Sequence, residues 1–473
     1  MKDNAAWIAG AEVVTGSWDD VINPFTGDVI LRVASCDASH VDAACVAAAG
    51  ALARKDFSQW RRAEVLDATA GLVAEHADYL ATLIVTEAGK PLRDARGEVS
   101  RCVDTFRFAA AEARRLSGEM VAMEASQSGA GRVAYAMRRP IGVVAAITPF
   151  NFPLNLVAHK LAPAVAAGCP VVLKPADKTP ISALRLVALM REAGMPPDWI
   201  SVVTGTGEAV GQPLIHHPIP AVISFTGSVP VGKAIAREAA GKKVLLELGS
   251  NAPVIITEDG DVDRAVARIR VGGFSYAGQS CISTQRVLVH SSRHAELVEK
   301  LGKAVASIVV GDPADESTEV GPLIRPSEVE RILGWINAAV DGGAIVVTGG
   351  KTNGAGLLEP TVLDLPPWDS DVVSKEVFGP VVTVTPFETF EDSIRLANDS
   401  DFGLQVGVFT RDIAAALKAA EDLEFGGVLI NEVPTFRADQ QPYGGVRDAG
   451  NTREGPAYAV HEFTELRFVM LTP

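Results

Sequence analysis

The spacing of apolar and polar positions changes several times along the chain, and each change predicts a different element. Residues 1–35 show only short alternating stretches, with Asn23-Pro24-Phe25-Thr26-Gly27 as a turn, and read as strands and turns. From 37 to 116 apolar residues recur at spacings of three and four, as in 41–52 and 62–87, which predicts helices. Residues 118–139 lose that period, and the alternation through Gly131-Arg132-Val133-Ala134-Tyr135-Ala136-Met137 predicts a strand pair.

Strands and helices then alternate. The expected strands are 141–147, 170–174, 200–203 and 221–225, with helices at 154–167, 182–192, 208–214 and 231–240 between and after them. A second series is expected from Val244, with strands at 254–256, 286–290, 381–386 and 427–430 and helices such as 262–271 and 413–423. The tail, 461–471, reads as one extended strand. Short apolar runs separated by helices mean parallel sheets covered on both faces, an α/β architecture of the nucleotide-binding type.

Length and composition fit this picture. A chain of 473 residues, 48% hydrophobic and 21% charged, suits about three structural units and argues against disorder. The net charge of -15 repels phosphate backbones and anionic lipid, so no nucleic-acid or membrane partner is expected, while a local arginine cluster can still hold a small anion. Five widely spaced cysteines without a CxxC point away from disulfides and metal, and toward a reducing compartment. With no secretory leader pattern and no apolar run near about 18 residues, the expected location is cytoplasmic.

Against this background a few short motifs stand out. In Gly278-Gln279-Ser280-Cys281-Ile282-Ser283 a cysteine sits among small and polar residues, where loop amides can expose and activate the sulfur; a small core residue is the plain alternative. Cys45, Cys102 and Cys169 lie in helical or pre-strand contexts and read as structural. Glu247, in Leu245-Leu246-Glu247-Leu248, is a carboxylate in an apolar run, which either faces solvent at the strand end or has a raised pKa suited to a general base. Asn151, in Thr148-Pro149-Phe150-Asn151-Phe152-Pro153, is held between two prolines and either bonds its own turn or donates to a developing oxyanion. Lys174 and Asp177 leave a strand three residues apart, as a clamp for ribose hydroxyls or as a solvated pair. Phe225-Thr226-Gly227-Ser228 with Val231-Gly232, and Gly205-Thr206-Gly207 with Gly211, are turns that let a phosphate approach backbone, or ordinary turns.

Taken in order, these motifs resemble the aldehyde dehydrogenase family. Lys375-Glu376-Val377-Phe378-Gly379-Pro380, Pro442-Tyr443-Gly444-Gly445 and the tail Glu462-Phe463-Thr464-Glu465 extend the resemblance over nearly the whole chain. It implies a Rossmann-like NAD-binding domain (1–117 and 141–246), an α/β catalytic domain (247–445) and oligomerisation strands (118–140 and 446–473), in a homodimer or homotetramer. It implies that the Cys281 thiolate attacks an aldehyde, that Asn151 and the Cys281 N–H hold the oxyanion, and that Glu247 activates the water that releases the acid. It also implies a cofactor site built from Thr148, Pro149, Phe150, Lys174, Ala176, Asp177, Gly207, Gly211, Phe225, Thr226, Gly227, Ser228, Val231, Leu248, Glu376 and Phe378. Lys174 and Glu376 would hold the two riboses. The Asp177 carboxylate favours NAD, with NADP possible. Gly249-Ser250-Asn251 departs from the family's commoner double glycine, with a small effect on turn geometry expected.

For the substrate, the resemblance implies a tunnel lined by Arg107, Phe152, His159, Ser280, Ile282, Phe436 and Arg437. His159 shares a helix face with Asn155 and Phe152. Arg107 and Arg437 are candidates for gripping a carboxylate, phosphate or phosphonate. The motifs are similar to the branch of lactaldehyde, nonphosphorylating glyceraldehyde-3-phosphate and phosphonoaldehyde dehydrogenases. Its members for phosphorylated substrates often carry Arg where this chain has Ser280. A short aldehyde with a hydroxyl or anionic group is the expected substrate. Competing readings are a cysteine-dependent esterase or acyl-transfer enzyme without a cofactor, and a catalytically idle protein on the same fold.

Overall fold

The computed structural model describes residues 3–239 and 241–472. Among the described residues there are two seven-stranded sheets, two three-stranded sheets and one strand pair, of which the large pair and one three-stranded sheet frame the site. The first sheet runs Lys243–Glu247, Pro220–Thr226, Val143–Ile147, Val171–Lys174, Ile200–Val202, Ala6–Ile8, Ala11–Val13. Its first five strands are parallel, and the N-terminal hairpin joins one edge antiparallel. In chain order the parallel strands lie 5-4-1-2-3, so the order reverses between Val143–Ile147 and Pro220–Thr226. That reversal opens a crevice at the carboxyl ends of these two strands.

Small residues let helices approach this sheet closely. Every position of the Asn155–Ala167 helix is buried, including Asn155, His159 and Lys160. A helix apolar all round belongs in a core, and three polar side chains inside it require partners. The Leu92–Arg115 helix and the short Pro456–Glu462 helix pack against it.

The second sheet runs Ile345–Thr348, Thr361–Asp364, Val381–Phe387, Arg286–His290, Pro253–Ile256, Gln405–Phe409, Gly427–Ile430, all parallel except the first strand. The third sheet pairs Val133–Pro140 with Thr464–Leu471 over their full lengths and adds Glu119–Val121. Leu466, Phe468, Met470, Val133 and Met120 stand exposed on it.

The alternating series expected from sequence is present, with three shifts. The strand at Val244 belongs to the first sheet, as its last parallel strand, because it pairs with Pro220–Thr226. The helix expected over 231–240 spans Val229–Glu238, started by Pro230 in its first turn, and Ala240 lies outside the described residues. The tail strand begins only at Thr464, since His461 and Glu462 end a helix. Among the described residues no helix is long and apolar enough to cross a membrane.

Candidate active site

The nucleophile candidate sits on a strained loop. Tyr276, Ala277 and Gly278 have φ of 50°, 52° and 69° in succession. Only Gly278 does so freely, and a Cβ there would lie 2.1 Å from the Gly379 carbonyl oxygen. Such a run persists only where its surroundings hold it. Here the buried Gln279 side chain accepts from the Ile324 N–H at 2.9 Å, and the Asp94 carboxylate accepts from the Tyr276 N–H at 3.0 Å. The loop carries Cys281 into a cleft of about 360 Å³ at the crevice of the first sheet, lined also by Asn151. Cys281 is partly exposed, whereas Cys36, Cys45, Cys102 and Cys169 are buried.

Asn151 leaves the Val143–Ile147 strand and is itself buried. Its Nδ2 donates to the Gln279 carbonyl at 3.0 Å. An amide nitrogen has two hydrogens, so one remains for a ligand atom beside Cys281.

Of the residues expected to hold a cofactor, Pro149, Phe150, Thr226, Gly227, Ser228, Leu248, Glu376 and Phe378 line the same cleft. Phe150 and Phe378 meet edge to face, centroids 5.9 Å apart. A Cβ at 227 would lie 2.5 Å from the Phe225 ring, and one at 249 would lie 2.4 Å from Glu376 Oε2 and displace that carboxylate. Glu376 accepts from the Ser250 N–H at 3.0 Å, and burial pushes its carboxyl up to about 7. The other positions lie outside the cleft lining. Thr148 donates its N–H to the Lys174 carbonyl, and the buried Lys174 stem runs past Gly211. Gly207 opens a single π-helical turn, Ala176 is half-buried, and Asp177 and Val231 are exposed. Two aromatic rings, close backbone at two glycines, the buried Lys174 amine and the partly buried Glu376 carboxylate suit a dinucleotide.

Glu247 ends its strand facing away from this cleft. With His159, Lys160, Ser224 and Glu454 it lines a second cavity of about 10 Å³, room for one water. Its Oε1 has no partner. Burial, followed by the neighbouring Glu454, holds its carboxyl well above the usual carboxylate range. Glycine at 444 lets it approach the loop after Tyr443, since a Cβ there would lie 3.0 Å from Glu247 Oε1.

Behind the cleft the structure assembles a charged cluster. Arg437 donates to Glu454 Oε2 at 2.8 Å and stacks on the Tyr443 ring at 3.8 Å. The Tyr443 hydroxyl lies 2.9 Å from Cys281 Sγ. Lys160 Nζ donates to Ser224 Oγ at 3.1 Å and lies 3.6 Å from Glu454 Oε1. Asp439 gathers Arg101 at 2.8 Å, His159 at 2.8 Å and Asn155 at 3.2 Å. Burial, and then Arg437, push His159 down, so the ring is neutral. Its Nε2 lies 2.8 Å from Asp439 Oδ1 and 3.1 Å from Arg437 Nη2, and its Nδ1 has no partner.

His159 and Arg437 therefore come together. Arg107 does not join them: it is exposed, with Asp104 at 3.7 Å. The arginine that does join is Arg101, six residues or about one and two-thirds turns earlier on the same helix. Ile282 turns into a small core with Leu404, Tyr443 and Ala449. Ser280 lines a narrow niche with Ser250 and Glu376. Phe436 is half-exposed. Phe152 packs under the Lys90 ammonium, 3.6 Å from its ring centroid. Sequence reasoning gave no role to Arg101, Lys160, Asp439, Tyr443 or Glu454. Lys160 was legible, because a lysine in an apolar helix needs a buried carboxylate. Tyr443 lay inside the Pro442-Tyr443-Gly444-Gly445 motif, while Arg101, Asp439 and Glu454 show no local signal.

The profile of the aldehyde dehydrogenase family matches residues 13–469. The chain is 42% identical to a 3-sulfolactaldehyde dehydrogenase of Priestia aryabhattai over 471 residues, covering 100% of this chain and 98% of that protein. It superposes with a TM-score of 0.96 on aldehyde dehydrogenase 21 from Physcomitrella patens in complex with its reaction product succinate, at 37% identity, covering 99% of this chain and 98% of that one. It superposes with a TM-score of 0.93 on the glyceraldehyde-3-phosphate dehydrogenase GapN of Methanocaldococcus jannaschii complexed with NADP, at 36% identity, covering 97% of this chain and 100% of that one.

Proposed function

The chain belongs to the aldehyde dehydrogenase family and is an NAD(P)-dependent aldehyde dehydrogenase; from that premise we propose that it oxidises a short aldehyde bearing a hydroxyl and an anionic group, through a thioester on Cys281. The observation that carries this reading is one cleft holding both the partly exposed Cys281 and the free amide hydrogen of Asn151.

The steps follow from the residues. The Cys281 sulfur attacks the carbonyl carbon, and the carbonyl oxygen becomes an alkoxide. Asn151 Nδ2 and the Cys281 N–H donate to it, which is worth about 100- to 1000-fold in rate for one such donor. When bound, NAD(P) would supply the hydride acceptor, and Phe150, Phe378, Lys174 and Glu376 would hold it. The resulting thioester is cleaved by water. Glu247, whose side chain lies in the neighbouring cavity, would turn into the cleft to take the proton of that water as it attacks, and its raised pKa makes it a stronger base once ionised. Sulfur serves both ends of the sequence, as a good nucleophile and a fair leaving group.

The preference for an anionic substrate rests on the neighbourhood of Arg101 and Arg437, with neutral His159 between them. A relative named for 3-sulfolactaldehyde favours an anionic hydroxyaldehyde, and relatives named for lactaldehyde favour a short hydroxyaldehyde. Asp177 near the adenosine end favours NAD over NADP, because its carboxylate repels a 2′-phosphate. The apolar outer face of the third sheet supports a homodimer or homotetramer through those strands.

An assay of NADH and NADPH formation across 3-sulfolactaldehyde, lactaldehyde, succinate semialdehyde and uncharged alkyl and aromatic aldehydes tests the reading. Short anionic hydroxyaldehydes with NAD should give the highest kcat/KM. A preference for bulky uncharged aldehydes overturns the substrate assignment.

A further inference from the structure

We propose that the Tyr443 hydroxyl is a catalytic group of this enzyme: it donates a hydrogen bond to the Cys281 sulfur whenever that sulfur is a thiolate, and the Arg437 guanidinium stacked on its ring strengthens the donation. The proposal rests on the reading of Cys281 as the nucleophile.

The geometry is direct. Tyr443 Oη lies 2.9 Å from Cys281 Sγ, short for a contact to sulfur. Tyr443 is almost fully buried and its ring packs with Ile282, Leu404 and Ala449, so the hydroxyl is aimed by a rigid side chain. Burial raises the phenol well above its ordinary range, so it remains protonated and able to donate throughout catalysis. A thiolate can only accept, which fixes the direction of the bond in the reactive state.

The surroundings make such a donor necessary. Burial pushes the Cys281 thiol up to about 12, and the Glu376 and Glu247 carboxylates oppose its ionisation further. Tyr443 and Arg437 act the other way. Arg437 lies 3.8 Å from the Tyr443 ring centroid and is held there by Glu454. A cation over the ring face draws electron density from the phenol and polarises its O–H bond toward the sulfur. The same bond serves the second half-reaction. When water cleaves the thioester, the C–S bond pair goes to sulfur, and the Tyr443 proton, kept on the phenol, is shared with the leaving thiolate.

Tyr443→Phe removes the hydroxyl and leaves the packing. In this variant of the full-length enzyme, the pH dependence of Cys281 alkylation by iodoacetamide should move up by about one to two pH units, as expected for loss of a hydrogen bond to a charged group. The pre-steady-state formation of NADH should slow about 10- to 100-fold, with NAD affinity unchanged. Tyr443→3-fluorotyrosine, which keeps the fold and acidifies the phenol, should move the alkylation profile down. Profiles that coincide with that of the unmodified enzyme overturn the proposal. Cys281→Ala separates the two readings: turnover that survives this change means the nucleophile assignment has failed, whereas its loss beside unshifted Tyr443 profiles means that only the role of Tyr443 has failed.

Discussion

The two sides of Cys281 are built on opposite principles. On the cofactor side Phe150, Phe378, Leu248 and bare backbone at Gly227 and Gly249 form one part of the wall, and Arg325, Glu328, Arg331 and Glu376 charge its rim. On the far side Arg101, Asp439, His159, Arg437, Glu454 and Lys160 form a continuous buried network. The first side offers close backbone approach at its glycines. The second fixes charge in place, where an unpaired ion would be costly.

Changes at the boundary should have the largest effect. Cys281→Ala should reduce turnover by at least about 1000-fold while NAD binding, read by fluorescence quenching, persists; loss of binding would instead make the cysteine structural. Within the charged side, Asp439→Ala leaves Arg101 without its carboxylate and His159 and Asn155 without their acceptor. Thermal unfolding should show about 3–5 kcal/mol of lost stability, and a change below about 1 kcal/mol would mean the network is not the brace described here. On the cofactor side, Asn151→Ala should lower kcat by about 100- to 1000-fold with little change in melting temperature. A fall in stability without a fall in kcat would reverse the contrast between the two sides.

The pH dependence sharpens the comparison further. Glu247 has a raised pKa, so it is protonated below that value and becomes a base only above it. Hydrolysis-limited kcat should therefore rise with pH through a limb above the usual carboxylate range, and Glu247→Gln should abolish the limb. A limb near pH 4 would show that Glu247 ionises as a solvated carboxylate does. The smallest effect is expected at the exposed Asp177, where Asp177→Ser should relax the preference for NAD over NADP by about tenfold, measured as the ratio of kcat/KM values.

The same contrast explains what the sequence revealed. The cofactor side is encoded locally: a strand, then Asn151; a strand, then Gly227-Ser228; a loop, then Cys281. Each motif lies within a few residues, and strand ends at a switch point bring them together. The charged side joins positions 101, 159, 247, 437 and 454, which no spacing relates. Arg107 was a natural choice because it lies in the right helix, but helical phase turns it to solvent and turns Arg101 inward. Likewise Ile282 flanks the nucleophile in sequence yet packs into a core. Tyr443 lay within a recognisable motif, but its contact with Cys281 spans 162 residues.

The central claim is that a thioester forms on Cys281 and waits for Glu247 to activate water. It is tested most directly by mass spectrometry of Glu247→Gln after mixing with NAD and 3-sulfolactaldehyde. The account predicts an acyl adduct on the Cys281 peptide, formed together with about one equivalent of NADH per active site. NADH formed with no adduct, or an adduct on any other residue, would contradict it.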